Sequence, residues 1–167
     1  MRVALGADDS SPLVEAIARF LAEAGHELTR FGQAAGEAEA WGSTGRRVAE
    51  AVALGEHELG VVCCWTGTGV SIAANKVPGV RAALCVDAET ARGARRWNDA
   101  NVLALSLRLT SSEVAKEILQ AFLAEPYAGT EDESLKVLAA LDARRGRPES
   151  RGLGGAGRPD ATRLGRR

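Results

Sequence analysis

Residues 61–76 read Val-Val-Cys-Cys-Trp-Thr-Gly-Thr-Gly-Val-Ser-Ile-Ala-Ala-Asn-Lys, and their order suits chemistry. An apolar run meets a thiol, then a Gly/Thr/Ser turn, then a helical segment. In a parallel α/β fold this places Cys64 and unpaired backbone N–H groups at the carboxyl end of a strand, where such folds bind ligands. A helix N-terminus offers free donors and a partial positive charge, which suit a phosphate, a carboxylate or a developing oxyanion. The stretch thus pairs a candidate base with a candidate oxyanion hole.

Three cysteines are present, Cys63, Cys64 and Cys85. A strand cysteine often serves as a small hydrophobe, which describes Cys63 and Cys85. Neighbours on a strand face opposite ways, so Cys63 and Cys64 separate. Adjacent cysteines do not form the CxxC pattern of dithiol redox sites. The helix-terminal field at Thr66–Ser71 favours the thiolate of Cys64, making it the candidate base or nucleophile.

Two further polar clusters lie at expected strand ends, Asp8-Asp9-Ser10 and Asn98-Asp99-Ala100-Asn101. All three clusters converge on one crevice if the first and third strands are neighbours at a switch point. Asp8 reads equally as a group for proton transfer or hydroxyl recognition and as a helix N-cap. Asn98 and Asp99 read as hydroxyl ligands or as groups that satisfy a turn.

The elements that must position these groups alternate along the chain. Strands are expected over 2–6, 26–31, 59–64, 80–86 and 101–105. Helices are expected from Pro12 to a stop at Gly25, near 43–54, over 71–76, over 88–97, and near 111–124 and 131–143. Ser10 or Ser11 caps the first helix, with Pro12 in its first turn. This pattern predicts an α/β fold, a Rossmann-like three-layer α/β/α sandwich around a five-stranded parallel sheet.

The chain has 167 residues, 46% of them apolar and few aromatic, so Ala, Val and Leu must build the core. No apolar run approaches the ~18 residues of a membrane span. The N-terminus reads as a strand rather than a signal peptide. An odd cysteine count without framework spacing points to a reducing cytoplasm. The net charge of −1 hides a basic tail: residues 143–167 carry eight Arg against Glu149 and Asp160. This segment is expected to be a disordered, solvated appendix to a domain of residues 1–142, with no nucleic-acid role because stacking aromatics are lacking.

Taken together, Gly6-Ala7-Asp8, Cys64 to Lys76, Val80 to Cys85 and Trp97 to Leu105 resemble the type-B ribose-5-phosphate isomerase and galactose-6-phosphate isomerase family. The resemblance spans about residues 1–142. It implies a homodimer, or a dimer of dimers, with active sites built across the subunit interface and no metal or organic cofactor. It further implies transfer of a carbonyl between C1 and C2 of a sugar phosphate through a cis-enediolate. Cys64 then matches the proton-abstracting base, and Thr66 the hydroxyl that moves protons among the oxygens. Asp8 and Asn98 match groups that hold sugar hydroxyls, with Asp9 and Trp97 beside them. Gly67, Thr68, Gly69, Val70 and Ser71 match the turn that holds the enediolate oxygens, and Arg108 a phosphate ligand.

Departures from the family pattern bear on the substrate. Asp9 and Trp97 stand where the family commonly has His, and the latter His is assigned to ring opening. Trp65 replaces the Gly after the catalytic Cys, and Trp41-Gly42 a Tyr-Pro pair. The only histidines, His26 and His57, fall outside the matching positions. Where the family carries Arg and His for phosphate, this chain reads Thr130-Glu131-Asp132-Glu133-Ser134-Leu135-Lys136. Arg108 and Lys136 remain in comparable places, with Arg92, Arg95 and Arg96 as possible replacements. A substrate that is already open needs no ring-opening group, and a tetrose or tetrulose 4-phosphate cannot close a five-membered ring. Indoles lining the pocket would shrink it to match, although the same rings could instead seal the dimer interface.

The expected activity is therefore an aldose–ketose isomerase of a ribose 5-phosphate-like or shorter open-chain sugar phosphate. Two alternatives are a non-catalytic or partner-dependent subunit of a heteromeric isomerase, and a nucleotide binder using Gly67-Thr68-Gly69. The latter lacks GxGxxG and the accompanying acidic residue.

Overall fold

The structure is a computed structural model and describes residues 1–145; the expected disorder of the tail falls almost wholly on residues outside that range. Five parallel strands, β1 (Arg2–Ala7), β2 (Glu27–Gly32), β3 (Leu59–Cys64), β4 (Ala82–Leu84) and β5 (Val102–Ser106), form one sheet in the order β2-β1-β3-β5-β4. β1 and β3 are neighbours, in register Val3↔Leu59 to Ala7↔Cys63. The chain leaves β1 toward one edge and crosses back to β3, so the switch point lies between these two strands, as the convergence of Asp8 and Cys64 requires.

Helices cover both faces. On one side α1 (Pro12–Glu23), α4 (Ala88–Asn98) and α5 (Ser112–Ala124) pack Ile17, Leu21, Ile118 and Phe122 against Val3, Leu5, Val61, Cys63, Leu103 and Leu105. On the other, α2 (Trp41–Ala53) and α3 (Thr68–Ala74) pack Val48, Val52, Val70 and Ala74 against Ala4, Val62, Cys64, Val102 and Ala104. Every residue of β3 is buried because helices cover both of its faces, which is why it reads as one apolar run without alternation. A sixth helix, α6 (Asp132–Arg145), follows a capped turn in which Tyr127 donates its hydroxyl hydrogen to Asp132 Oδ1 at 2.8 Å.

Most boundaries follow local signals. Ser11 caps α1, its Oγ accepting the N–H of Leu13 at 3.2 Å, and Pro12 occupies the first turn. Asp87 and Ser111 cap α4 and α5 in the same way. The largest shift is at α3, which begins at Thr68 instead of the expected Ser71. Gly67 takes a left-handed conformation with φ 73°, and its N–H closes a turn onto the Cys64 carbonyl at 3.1 Å, so the chain enters the helix early. β4 is shorter than the expected 80–86. It is an edge strand, and on its amino-terminal side a side chain supplements the backbone: the Arg81 carbonyl accepts the Asn101 and Val102 N–H groups, Asn101 Oδ1 accepts the Arg81 N–H at 2.8 Å, and Asn101 Nδ2 donates to the Gly79 carbonyl at 2.9 Å.

Candidate active site

Cys63 and Cys64 end β3 and join different packing clusters, as strand alternation demands. Cys63 is fully enclosed, and burial, with smaller contributions from Cys64 and Asp8, pushes its thiol up to about 12. It remains protonated at neutral pH. Cys64 keeps 5% of its surface open and sits where the strand gives way to the turn. Cys85 matches Cys63 in character: burial and the nearby Asp87 also raise its thiol to about 12.

The turn after Cys64 is held by paired carbonyl contacts. The Cys64 carbonyl accepts the N–H groups of Gly67 at 3.1 Å and Leu107 at 3.0 Å. The Trp65 carbonyl accepts the Arg108 N–H at 3.0 Å and the Ser106 hydroxyl at 2.9 Å. Ser106 Oγ in turn accepts the Leu109 N–H at 3.2 Å. Gly67 is required here, since a Cβ would lie 2.5 Å from Leu84 Cδ1 and 2.9 Å from the Leu105 carbonyl carbon, in addition to the left-handed φ.

Not every N–H of the turn can receive an oxyanion. Gly67 donates to Cys64, and Ser71 donates to the Gly67 carbonyl at 3.2 Å, so these two amides are already used. Thr68, Gly69 and Val70 supply the N–H groups at the start of α3 that lack an intrahelical acceptor. Val70 is buried and can offer only its backbone, whereas Thr66 and Thr68 expose their side chains. The indole of Trp41 lies against Gly69: a Cβ on that glycine would stand 3.0 Å from two ring carbons. Trp65, the residue after Cys64, exposes 61% of its surface. Two of the three tryptophans thus border the shelf that carries Cys64.

Asp8 follows β1 directly, beside the end of β3. Its Oδ1 is buried without a hydrogen-bond partner among the described residues. Burial raises its carboxyl above the ordinary value, opposed by its own backbone N–H and assisted by Asp9. It does not cap α1, since Ser11 does that, so the capping alternative is removed. Asp9 is exposed, and its Oδ1 accepts the Ser10 N–H at 2.8 Å. Arg108 stands at the same edge, exposed, with its backbone bound to Trp65.

Trp97 and Asn98 do not join this group within one chain. They precede β5, and its first residue, Val102, pairs with Gly60 near the start of β3. In a parallel sheet that is the amino end, about 13 Å of strand from Cys64 at ~3.3 Å per residue. The expected convergence of all three clusters is corrected accordingly: Asp8 and Cys64 share an edge, while the Asn98–Asn101 segment occupies the opposite one.

That second cluster is mostly structural. Asp99 is the one non-glycine described residue with positive φ, at 45°. Arg81 fixes it, donating from Nη2 to Asp99 Oδ2 at 2.7 Å and from Nε to the Asp99 and Asn98 carbonyls at 2.8 and 3.1 Å. Asn101 serves the backbone of Gly79 and Arg81, and the Asp99 carboxylate is taken up by Arg81, a structural role. Asn98 is left exposed, and the Trp97 ring folds back on Gly93 with half its surface open. Sequence reasoning overlooked Arg81 and Ser106. A hydroxyl closing the otherwise apolar run Val102–Leu105 was the available signal for Ser106.

The three possible replacements, Arg92, Arg95 and Arg96, are all engaged by other groups, and so is Lys136. Arg96 pairs with Glu125 at 2.6 Å, Arg92 with Glu89, and Lys136 with Glu133 at 2.6 Å. Arg95 donates to the Ala100 and Glu125 carbonyls and lies 3.7 Å from Asp99. Arg108 has no ion pair among the described residues.

The Ribose/Galactose Isomerase family matches residues 3–138. Ribose-5-phosphate isomerase B of Escherichia coli is 36% identical over 146 residues, covering 86% of this chain and 98% of the relative. D-erythrulose-4-phosphate isomerase of Pectobacterium atrosepticum is 37% identical, covering 77% and 86%. The solved structure of ribose-5-phosphate isomerase B from Clostridium thermocellum superposes with a TM-score of 0.81 at 36% identity, covering 86% of this chain and 99% of that one.

Proposed function

The chain belongs to the ribose/galactose isomerase family, and from that membership we propose that it interconverts an open-chain aldose phosphate and its ketose isomer through a cis-enediolate. The Cys64 thiolate takes the proton from the carbon next to the carbonyl. The C–H electron pair becomes the C=C bond, and the carbonyl oxygen gains negative charge. The N–H groups of Thr68, Gly69 and Val70 stabilise that charge; a preorganised donor of this kind is worth ~3–4 kcal/mol. The Thr66 hydroxyl moves a proton between the two oxygens, and the Cys64 thiol returns its proton to the neighbouring carbon. No redox partner is needed, because the carbon oxidised and the carbon reduced are adjacent in one molecule.

Asp8 holds a substrate hydroxyl, which supplies the hydrogen bond its buried oxygen lacks. Asp9 lies beside it. Arg108 binds the phosphate, being the cation at this edge without a carboxylate partner among the described residues. Trp97 and Asn98 of a second copy complete the site, which accounts for their exposure at the far end of their own sheet. The active assembly is accordingly a homodimer. Free, buried thiols suit a reducing cytoplasm.

Substrate size follows from the indoles. Trp41 against Gly69 and Trp65 beside Cys64 narrow the shelf, and Trp97 brings no ring-opening imidazole. A four-carbon tetrulose or tetrose phosphate, which cannot form a furanose, fits these features better than a cyclic pentose phosphate. The observation that carries the proposal is the placement of Cys64 beside the first amides of α3, with Asp8 Oδ1 alongside, buried and without a partner among the described residues. Four- to six-carbon aldose and ketose phosphates incubated with the protein in deuterated water test it. Exchange at the carbon beside the carbonyl, strongest for a four-carbon substrate, is expected; no exchange with any of them refutes the activity.

A further inference from the structure

Among the described residues, buried polar or charged side chains are confined to Thr44 and Ser106. Thr44 is served by Glu39, to which it donates at 3.0 Å. Ser106, 2% exposed, ends a strand otherwise made of Val, Leu and Ala, and it pairs in register with Cys64. A buried hydroxyl costs free energy unless both its hydrogen and its lone pairs are used. Here both are: Ser106 donates to the Trp65 carbonyl at 2.9 Å and accepts from the Leu109 N–H at 3.2 Å.

The two partners lie on either side of the site. Trp65 is the residue after the base, and Leu109 follows Arg108, the phosphate candidate. Backbone contacts run parallel to this bridge, from Leu107 N–H to the Cys64 carbonyl and from Arg108 N–H to the Trp65 carbonyl, each at 3.0 Å. Ser106 therefore ties the loop after β5 to the loop after β3 at the point where both leave the sheet.

We propose that Ser106 is a positioning residue for the isomerisation: it touches no substrate but fixes the Cys64–Trp65 peptide relative to the Arg108 loop, and so holds the base at a set distance from the phosphate anchor. The proposal rests on the catalytic role given to Cys64. Without the hydroxyl, the Trp65 carbonyl keeps one N–H and the Leu109 N–H loses its acceptor, so the Cys64 turn loosens while the sheet remains intact.

Three variants test this. Ser106→Ala removes the bridge, Ser106→Thr keeps a hydroxyl, and Leu21→Ala damages the core at the last turn of α1, at the opposite end of that helix from Asp8. Ser106→Ala should lower kcat about tenfold to a hundredfold with KM changed less than about threefold, because small misplacement of a reacting group costs rate. Ser106→Thr should recover most of the loss, and Leu21→Ala should keep kcat despite a lower melting temperature. Alkylation of Cys64 by iodoacetamide across pH, located by mass spectrometry, is the second readout and needs no substrate. Ser106→Ala should alter its rate profile. If Ser106→Ala fails to fold, Ser106→Gly is read in its place. An unchanged kcat and alkylation profile, or an equal kcat loss in Leu21→Ala, overturns the proposal. A wild-type protein that isomerises no sugar phosphate defeats the proposed function instead, and the alkylation profile then judges Ser106 alone.

Discussion

Cys63 and Cys64 are consecutive residues whose side chains enter opposite layers of the sandwich, Cys63 toward α1 and α5 and Cys64 toward α2 and α3. One thiol is thereby sealed and held up at about 12, while the other reaches the edge where α3 begins. Cys64→Ala should abolish proton exchange at the substrate carbon and leave the fold intact. Cys63→Ala should keep activity and cost about 1 kcal/mol through lost packing. Mass spectrometry of exchanged substrate and thermal melts separate the two outcomes.

Asp8 gives a pH signature. Its folded carboxyl sits above the ordinary 3.8, so ionisation opposes folding at neutral pH and ceases to do so once the group is protonated in both states. Asp8→Asn should therefore raise the melting temperature at pH 7 and lose most activity. The stability gain should shrink as pH falls below the folded value and vanish below about 3.8. Paired melts at pH 7 and pH 3.5 measure this; an equal gain at both would rule out burial of the charge as its cause.

Gly67 admits no side chain. Gly67→Ala adds a methyl that meets Leu84 and Leu105 and places a Cβ at φ 73°. The expected cost is on the order of 1–3 kcal/mol, with a larger effect on kcat than on KM because the α3 amides shift. Denaturant titration and steady-state kinetics report the two separately.

Under the proposed function, Arg108 and Trp65 divide substrate recognition between them. Arg108→Ala should raise KM for a sugar phosphate at least about tenfold with a smaller change in kcat, since anchoring a non-reacting group acts mainly through binding. Trp65→Gly should improve kcat/KM for ribose 5-phosphate relative to a tetrulose phosphate. A parallel fall for both substrates would mean that the indole packs the site without setting its length.

Arg81 should prove structural. Its guanidinium serves the Asp99 carboxylate and two carbonyls around the strained φ of Asp99. Arg81→Ala should lower stability by about 1–3 kcal/mol, and Arg81→Lys should recover little, because an ammonium cannot reproduce the planar fork. Thermal melts of the two variants against wild type provide the measurement.

Local chemistry made much of this protein legible. Ser11 and Pro12 mark the start of α1, the run Leu59–Cys64 reads as a strand covered on both faces, and the Cys64–Lys76 segment announces a thiol beside a helix N-terminus. These features depend on neighbours a few residues apart, whose torsional and hydrogen-bonding preferences are intrinsic. Tertiary structure alone decided which groups meet. Strand order placed Asp8 beside Cys64 and sent Asn98 to the opposite end of the sheet, because a residue preceding a parallel strand lies at its amino edge. Long-range partners also settled which charges are engaged: Arg96 is taken by Glu125 and Asp99 by Arg81, while Arg108 has no ion pair among the described residues. Pairings across tens of residues are set by where helices and strands stack, and no local preference encodes them.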